Sequence, residues 1–322
     1  MMMKRRYHRI VTAVMFLGLS WNMTMAQQLP VFSHHMFNKF ALNPAVAGSE
    51  RFIDFKLNHR SQWVGFDGAP VTQVLSGHAI LPNGKMGVGG YLFNDAAGPF
   101  RRIGLNLAYA HHLQLGSMNL SLGLSGGLLQ YSVDGREINL YDPTDQTVDL
   151  TTRDRSMTPD ANFGMLMYNE DLYVGFSALH LLKGKLDFFE SGGNASYVPL
   201  ENHYYFMGGY KAEINPKFTL EPAALVQMVQ ANPTQLHINL NMSYDDKVIA
   251  GAGYRTGDAM VLLVGCRFAE AFMVAYSYDL LLSGLKTSNT GSHEITVGYQ
   301  LAYKTGEGPL KKRYKLNKVR VN

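Results

Sequence analysis

The chain has 322 residues, 46% of them hydrophobic and only 17% charged, and a formal net charge of +4. A soluble globular domain carries about 25% charge, and a chain this rich in Tyr and Phe with so little net charge is not a disordered or acidic tail protein. One cysteine, Cys266, excludes a disulfide-stapled scaffold.

The chain opens with a basic stretch, Lys4, Arg5, Arg6 and Arg9, followed by a short apolar core from Ile10 to Leu19. Thr24-Met25-Ala26 then places small residues where a signal peptidase needs them, so residues 1–26 read as a cleaved signal peptide. The apolar run is shorter than the roughly 20 residues of a membrane-spanning helix. Gln27, not a cysteine, follows, so no lipoprotein anchor is expected. The mature chain would have 322 − 26 = 296 residues. Removing the four basic signal residues cancels the +4, which leaves the mature chain near neutral but polarised. Residues 304–322 hold seven Lys or Arg and one Glu, a net +6, so residues 27–303 carry 0 − 6 = −6. The basic material is thus a signal and a tail, and no nucleic-acid partner is expected.

Residues 27–50 do not alternate. They combine aromatics with the turn-starting Asn43-Pro44 pair and Gly48. Such an apolar segment ahead of a first strand needs burial, and it reads as a plug or hatch inserted into the fold that the later residues build. Whether it only fills space or acts as a gate stays open.

From Arg51 onward the dominant pattern has a period of two. Ile103, Leu105, Leu107 and Tyr109 alternate with Gly104, Asn106, Ala108 and Ala110, and Leu236, Ile238, Leu240 and Met242 alternate with His237, Asn239 and Asn241. Alternation puts one set on each face of a sheet, and a small, polar second set suits a wet or plugged barrel interior. Fourteen strands are expected, starting near Arg51, Pro70, Lys85, Arg101, Met118, Ala161, Leu172, His203, Phe218, Thr234, Lys247, Ala259, Phe272 and His293. After each even-numbered strand the link is tight and rich in turn formers, as in Pro82-Asn83-Gly84, Gly116-Ser117 and Asp245-Asp246. The long links, Ser132–Asp160, Lys183–Asn202 and Leu282–Ser292, all have the other parity. Short periplasmic turns and long outer loops are the asymmetry of outer-membrane barrels. The predicted fold is therefore all-β: a transmembrane antiparallel β-barrel of about 14 strands over residues 51–303, with a plug at 27–50 and a basic periplasmic tail at 304–322. An exported soluble β-sandwich is the alternative.

The segment Gln28-Leu29-Pro30-Val31-Phe32-Ser33-His34-His35-Met36-Phe37-Asn38, with Leu42-Asn43-Pro44-Ala45-Val46-Ala47-Gly48-Ser49, resembles the mature start of PorP/SprF proteins from Bacteroidetes. The resemblance continues through Asn58-His59-Arg60-Ser61-Gln62-Trp63, Gly68-Ala69-Pro70-Val71-Thr72 and Met86-Gly87-Val88-Gly89-Gly90. It is specific over residues 27–95. It implies an outer-membrane barrel of the type IX secretion and gliding machinery, similar in fold to long-chain fatty-acid channels. It also implies a role in secretion or surface attachment of cargo carrying a C-terminal sorting domain, with outer-membrane lipid and periplasmic or peptidoglycan-associated secretion components as partners. Phe32, Met36, Phe37, Asn43, Pro44, Gly48, Arg60 and Trp63 are the candidate plug and partner-binding residues. The chain departs from a simple barrel in ending nineteen residues beyond Tyr303 (322 − 303). In that tail Lys311, Lys312, Arg313, Lys315, Lys318 and Arg320 are candidates for docking an acidic periplasmic surface, or else form a solvated arm.

Catalytic chemistry is sparse. Cys266 lies on an apolar alternating face with no CxxC or nearby His, so it reads as a small lipid-facing residue. The pairs His34-His35 and His111-His112 are adjacent, and adjacent strand residues face opposite sides, so no metal or other cofactor is expected. His59 and Arg60 are expected in an interior polar network. Gly123–Gly127 has no Walker pattern and reads as strand glycines that a plug or neighbour approaches closely. Asn58 and His59 without a serine elbow make a lipase a poor reading. A channel for small hydrophobic solutes is the stronger alternative to a secretion component.

Overall fold

The computed structural model describes residues 32–50, 52–138, 150–191, 194–230, 232–269, 271–284 and 289–302. The expected signal peptide, the first plug residues 27–31 and the basic tail with Lys311, Lys312, Arg313, Lys315, Lys318 and Arg320 lie outside the described residues.

The strands in chain order are β1 (Phe52–Ser61), β2 (Val71–Ile80), β3 (Met86–Ala97), β4 (Phe100–Leu115), β5 (Met118–Asp134), β6 (Arg153–Tyr168), β7 (Leu172–Leu179), β8 (Lys185–Ser191) and β9 (Asn194–Pro199). They continue as β10 (His203–Tyr210), β11 (Ala212–Asn215), β12 (Phe218–Val229), β13 (Gln235–Tyr244), β14 (Val248–Arg255), β15 (Ala259–Phe268), β16 (Phe272–Leu281) and β17 (Ser292–Ala302). β10 and β11 are one strand interrupted at Lys211, and both pair with β12. β8 and β9 form a separate hairpin. The remaining strands pair antiparallel with their chain neighbours, and β1 closes on β17 from Phe52↔Ala302 to Ser61↔His293. The result is a closed barrel of fourteen strands, so no edge is left unpaired.

All six links after even-numbered barrel strands are tight. Several rest on backbone in the left-handed region, at Gly84, Gly116, Asp245, Asp246 and Ala269; consecutive positive φ at Asp245-Asp246 is the mark of a type I′ hairpin turn, whose twist matches the strands. The long links lie at the other end, although Ala97 to Phe100 and Arg255 to Ala259 are also short there.

The structure corrects two boundaries. β5 runs on to Asp134 and β6 begins at Arg153, eight residues before the expected Ala161, so the link between them is shorter than 132–160. Arg153-Asp154-Arg155-Ser156 is polar on both faces, which hides a strand from any hydropathy alternation. Within the expected loop 183–202 sits the β8–β9 hairpin. The seventeen residues of β5 run about 56 Å at ~3.3 Å each. At a tilt near 40° that is about 43 Å of height, against an apolar band of about 25 Å. The wall β4–β6 therefore stands well clear of the band at the long-loop end.

The outward face is apolar, with Leu57, Leu75, Leu92, Leu105 and Leu128 all exposed. Aromatic pairs ring its tight-turn end: Phe218 with Tyr244 at 5.0 Å, Phe268 with Phe272 at 5.6 Å, and Phe272 with Tyr299 at 4.7 Å between centroids. Such girdles sit at membrane interfaces. Cys266 is exposed on this outer face, opposite Val248 and Val274. At the long-loop end Leu186, Phe188 and Leu200 pack on the lumen-facing Leu129, Tyr131 and Val133, so the β8–β9 region folds over the mouth.

Candidate functional site

The site is the seat of residues 33–50 inside the barrel. The local fold follows from the residues. A turn at 33–37 is closed by Phe37 N–H donating to His34 O at 2.9 Å. Single 3-10 turns follow at Lys39–Ala41 and Pro44–Val46. Asn43 caps the second, its Oδ1 accepting from Ala45 N–H at 2.9 Å, and Pro44 occupies the first helical position, where its missing N–H costs nothing. Gly48 ends the segment at φ +72°.

The upper station of the plug is held by charge. Arg60, Arg255, Asp279 and Glu294 converge inside the long-loop end, all nearly fully buried. Arg60 Nη2 donates to Asp279 Oδ2 at 2.7 Å and Nη1 to Glu294 Oε2 at 3.2 Å. Arg255 also donates to Asp279, and its Nε lies 2.9 Å from Asp258 Oδ2. Ser33 sits among them: its N–H donates to Glu294 Oε2 at 2.7 Å and its Oγ to Asp279 Oδ1 at 2.8 Å, while Arg60 Nη1 donates to Ser33 Oγ at 3.0 Å. His34 N–H reaches the other Glu294 oxygen at 3.2 Å. Two guanidiniums are thus paired with the buried Asp279 and Glu294 and with the half-buried Asp258, and removing one partner of such a buried set costs about 3–5 kcal/mol because the other is left buried and unpaired. Below, Asn38 bridges Asn58 at 2.7 Å and Ser76 at 3.1 Å.

Two histidines belong to this station. His34 Nδ1 pairs with Thr296 Oγ1 at 2.6 Å, and burial lowers its pKa. His35 is pushed down to about 3, first by burial and then by the Arg255 charge. Its ring meets the His237 ring edge-on at 5.8 Å. The two plug histidines are therefore neutral at neutral pH.

The lower station is held by shape. A Cβ on Gly123 would stand 2.3 Å from Ala45 N, one on Gly164 2.0 Å from Asn43 Oδ1, and one on Gly87 1.9 Å from Ala47 O. Strands β3, β5 and β6 thus present bare backbone where the plug lies against them. Hydrogen bonds fix the plug there. Ser121 Oγ donates to Ala45 O at 2.7 Å, Ser177 Oγ to Leu42 O at 2.6 Å, and His112 Nε2 lies 3.0 Å from Ala47 O. Asn43 Nδ2 donates to Met165 O and Phe176 O, both at 3.1 Å. Apolar side chains fill the rest. Phe40 packs with Ala45, Val46 and Ala108, Leu42 with Tyr205 and Leu225, and Met36 and Phe37 with Ile249, Leu263 and Met273.

Among the described residues the plug and the inward side chains together fill the lumen. Every barrel strand contributes a buried lumen-facing residue, from Asn58, Ser76 and Asn106 on one side to Leu225, Asn241 and Leu263 on the other. Above the plug remains a cavity of about 50 Å³, lined by Phe32, Leu42, Val74, Tyr91, Phe93, Leu179 and Tyr205 with Asn106, Asn162 and His180.

Of the residues singled out from sequence, Met36, Phe37, Asn43, Pro44, Gly48 and Arg60 all lie in or against the plug, and Phe32 lines the cavity above it. Trp63 does not: it sits in the loop after β1 at φ +52°, its N–H donating to Ser292 Oγ at 3.1 Å. His59 also departs from expectation. It points outward, 3.2 Å from Ser61 Oγ, because it is one residue out of phase with the inward Asn58 and Arg60. His111 and His112 divide between the two faces, with His112 on the plug. Sequence reasoning missed Arg255, Asp279 and Glu294, although a charge on the lumen side of an alternating membrane strand is a signal in itself, and it missed the glycine seat at Gly87 and Gly164. Among the described residues no group of three or more His, Cys, Asp or Glu is placed to hold a metal ion.

Comparison with solved structures finds the CymD monoaromatic hydrocarbon channel, 13% identical, covering 87% of this chain and 95% of that one at a TM-score of 0.49. The Pseudomonas putida toluene transporter TodX is 12% identical, covering 83% and 93% at a TM-score of 0.43. Similarity at this level says nothing about what either barrel has in common with this one in function. No curated protein matches the chain. Residues 24–299 match the family described as type IX secretion system membrane protein PorP/SprF. That span takes in the plug, its glycine seat, the charged station and nearly the whole barrel, and the chain therefore belongs to the PorP/SprF family of type IX secretion system membrane proteins and is an outer-membrane β-barrel.

Proposed function

We propose that this barrel supports the secretion or surface attachment of proteins with C-terminal sorting domains by binding them or their partners, not by catalysis and not by conducting them through its lumen. The observation that carries this reading is the closed lumen: a plug bonded to the wall at both stations, with buried lumen-facing residues on every barrel strand. A protein that cannot pass through the barrel can still be held at its rim. The tight-turn end then faces the periplasm and the long loops face outward, as in barrels with this asymmetry. The test is a strain in which residues 32–48 are deleted and barrel abundance is followed together with surface-attached cargo. The reading expects new ion conductance in planar bilayers from the deleted form and impaired attachment. Unchanged conductance contradicts a sealing plug.

One observation favours a second reading, a channel for small hydrophobic solutes: the aromatic-lined cavity at Phe32, Tyr91, Phe93 and Tyr205. At about 50 Å³ it holds a few waters. Transport would need the plug to move, and uptake of a hydrophobic probe that fails when the plug is locked would favour this reading.

A further inference from the structure

The outer surface of β1–β6 carries an ordered change of chemistry that neither the plug nor the family accounts for. Strand register aligns Leu57, Leu75, Leu92, Leu105 and Leu128 in one row across five strands. Two residues nearer the long loops, about 6.6 Å along each strand, the aligned row is His59, Gln73, Asn94, Ile103, Gln130 and Met157. One step further up, Arg101 and Arg155 flank Ser132 on β4, β5 and β6. Their attachment points are two strand spacings apart, about 9.6 Å.

These guanidiniums are exposed, and neither is held in an ion pair among the described residues. Arg101 Nε donates to Asn94 Oδ1 at 2.7 Å, which aims the group along the polar row. Just above, Asp134 takes Arg136 and Arg153, both at 2.7 Å, and Asp154 Oδ1 accepts from the Arg155 amide at 2.7 Å, so among the described residues four guanidiniums stand beside three carboxylates, Asp134, Glu137 and Asp154. By register, Arg101, Arg153 and Arg155 are the only outward-facing arginines or lysines among the described barrel strands. On the described barrel strands the outward basic charge is thus confined to β4 and β6, immediately above the leucine row.

That placement selects the ligand. The leucines lie in hydrocarbon, so the arginines stand at the level of lipid headgroups. Guanidinium pairs with phosphate in a bidentate fork. We infer that Arg101 and Arg155 form a binding site for the phosphorylated headgroup of an outer-leaflet glycolipid, whose acyl chains lie on the leucine row.

The test uses the purified full-length barrel in zwitterionic detergent, titrated by native mass spectrometry with diphosphorylated lipid A, its dephosphorylated form and phosphatidylcholine. The wild type retains the diphosphorylated lipid at least about tenfold better than either other lipid. The pair Arg101→Gln and Arg155→Gln loses that preference, whereas Lys217→Gln with Lys247→Gln, at the opposite end, keeps it. Heat-modifiable gel mobility verifies that each variant is a folded barrel. Equal retention of all three lipids by the wild type, or an unchanged preference in the arginine pair, overturns the assignment. Displacement of the lipid by equimolar soluble poly-glutamate assigns the patch to an acidic polypeptide and also overturns it.

Discussion

Gly123→Ala is the sharpest perturbation of the plug. The added Cβ would lie 2.3 Å from Ala45 N, 2.5 Å from Ala45 Cα and 2.5 Å from Pro44 C, all backbone atoms of the plug. Ordinary contacts begin near 3.4 Å, so the plug backbone must retreat by about 1 Å. The barrel wall cannot give instead, because β5 is bonded on both sides along its length. Retreat stretches the Ser121–Ala45 bond at 2.7 Å and the Asn43 bonds to Met165 and Phe176. Overpacking costs about 1–3 kcal/mol, and leaving one buried polar group unpaired costs about another 1–3. The sum, about 2–6 kcal/mol, lowers the ratio of seated to unseated plug by roughly 30-fold to 10⁴-fold. Gly126→Ala supplies the control in the same strand: its Cβ meets nothing nearer than Asp160 O at 4.0 Å. Planar-bilayer recordings should show frequent openings for Gly123→Ala and the wild-type trace for Gly126→Ala. Identical traces from the two variants, with both barrels folded, would refute the glycine seat.

Three further outcomes are expected. Glu294→Gln weakens the upper station by about 3–5 kcal/mol, since Arg60 and the Ser33 and His34 amides lose their charged acceptor; limited proteolysis near residue 33 reads this out, and unchanged protection contradicts it. Acidification loosens the plug: His35, held at about 3 when seated and near 6.5 when free, binds fewer protons in the seated state, so seating is intact above pH 6.5 and weakens as pH falls. At pH 5 the loss from His35 alone is about 2 kcal/mol, with Arg255, His237 and His34 as its charged or titratable surroundings, and conductance that does not rise between pH 7 and pH 5 contradicts it. Cys266→Ala leaves secretion and barrel abundance unchanged, because the thiol is exposed on the outer face; abolished secretion at normal abundance would revive a chemical role.

The barrel was legible because its signals are local and periodic. Alternation reports which face a residue occupies, and Asn, Asp and Gly report the hairpin turns, as at Asp245-Asp246. Alternation failed where both faces are polar, at Arg153–Ser156, and it could not show the β8–β9 hairpin inside a loop. The plug was legible as a non-alternating apolar segment, but its partners were not. Ser33 meets Asp279 and Glu294 across more than 240 residues of chain, and only closure of β1 on β17 brings them together. Phase decides the rest: Arg60 enters the lumen and His59, one residue earlier, does not. Gly123 and Gly126 look alike in the sequence, and only the position of Ala45 separates a seat from an open strand glycine.

The most direct test locks the plug in place. Asn38→Cys and Ser76→Cys, in a Cys266→Ala background, put thiols where two side chains now meet at 3.1 Å. After oxidation or bridging with a short bis-maleimide, surface attachment of a sorting-domain cargo is measured in cells against the unlocked form. A barrel that works by binding with its lumen closed attaches cargo at the same rate when locked. Loss of attachment on locking, restored by reductant in the disulfide form, would show that the plug must move and that the lumen is the route.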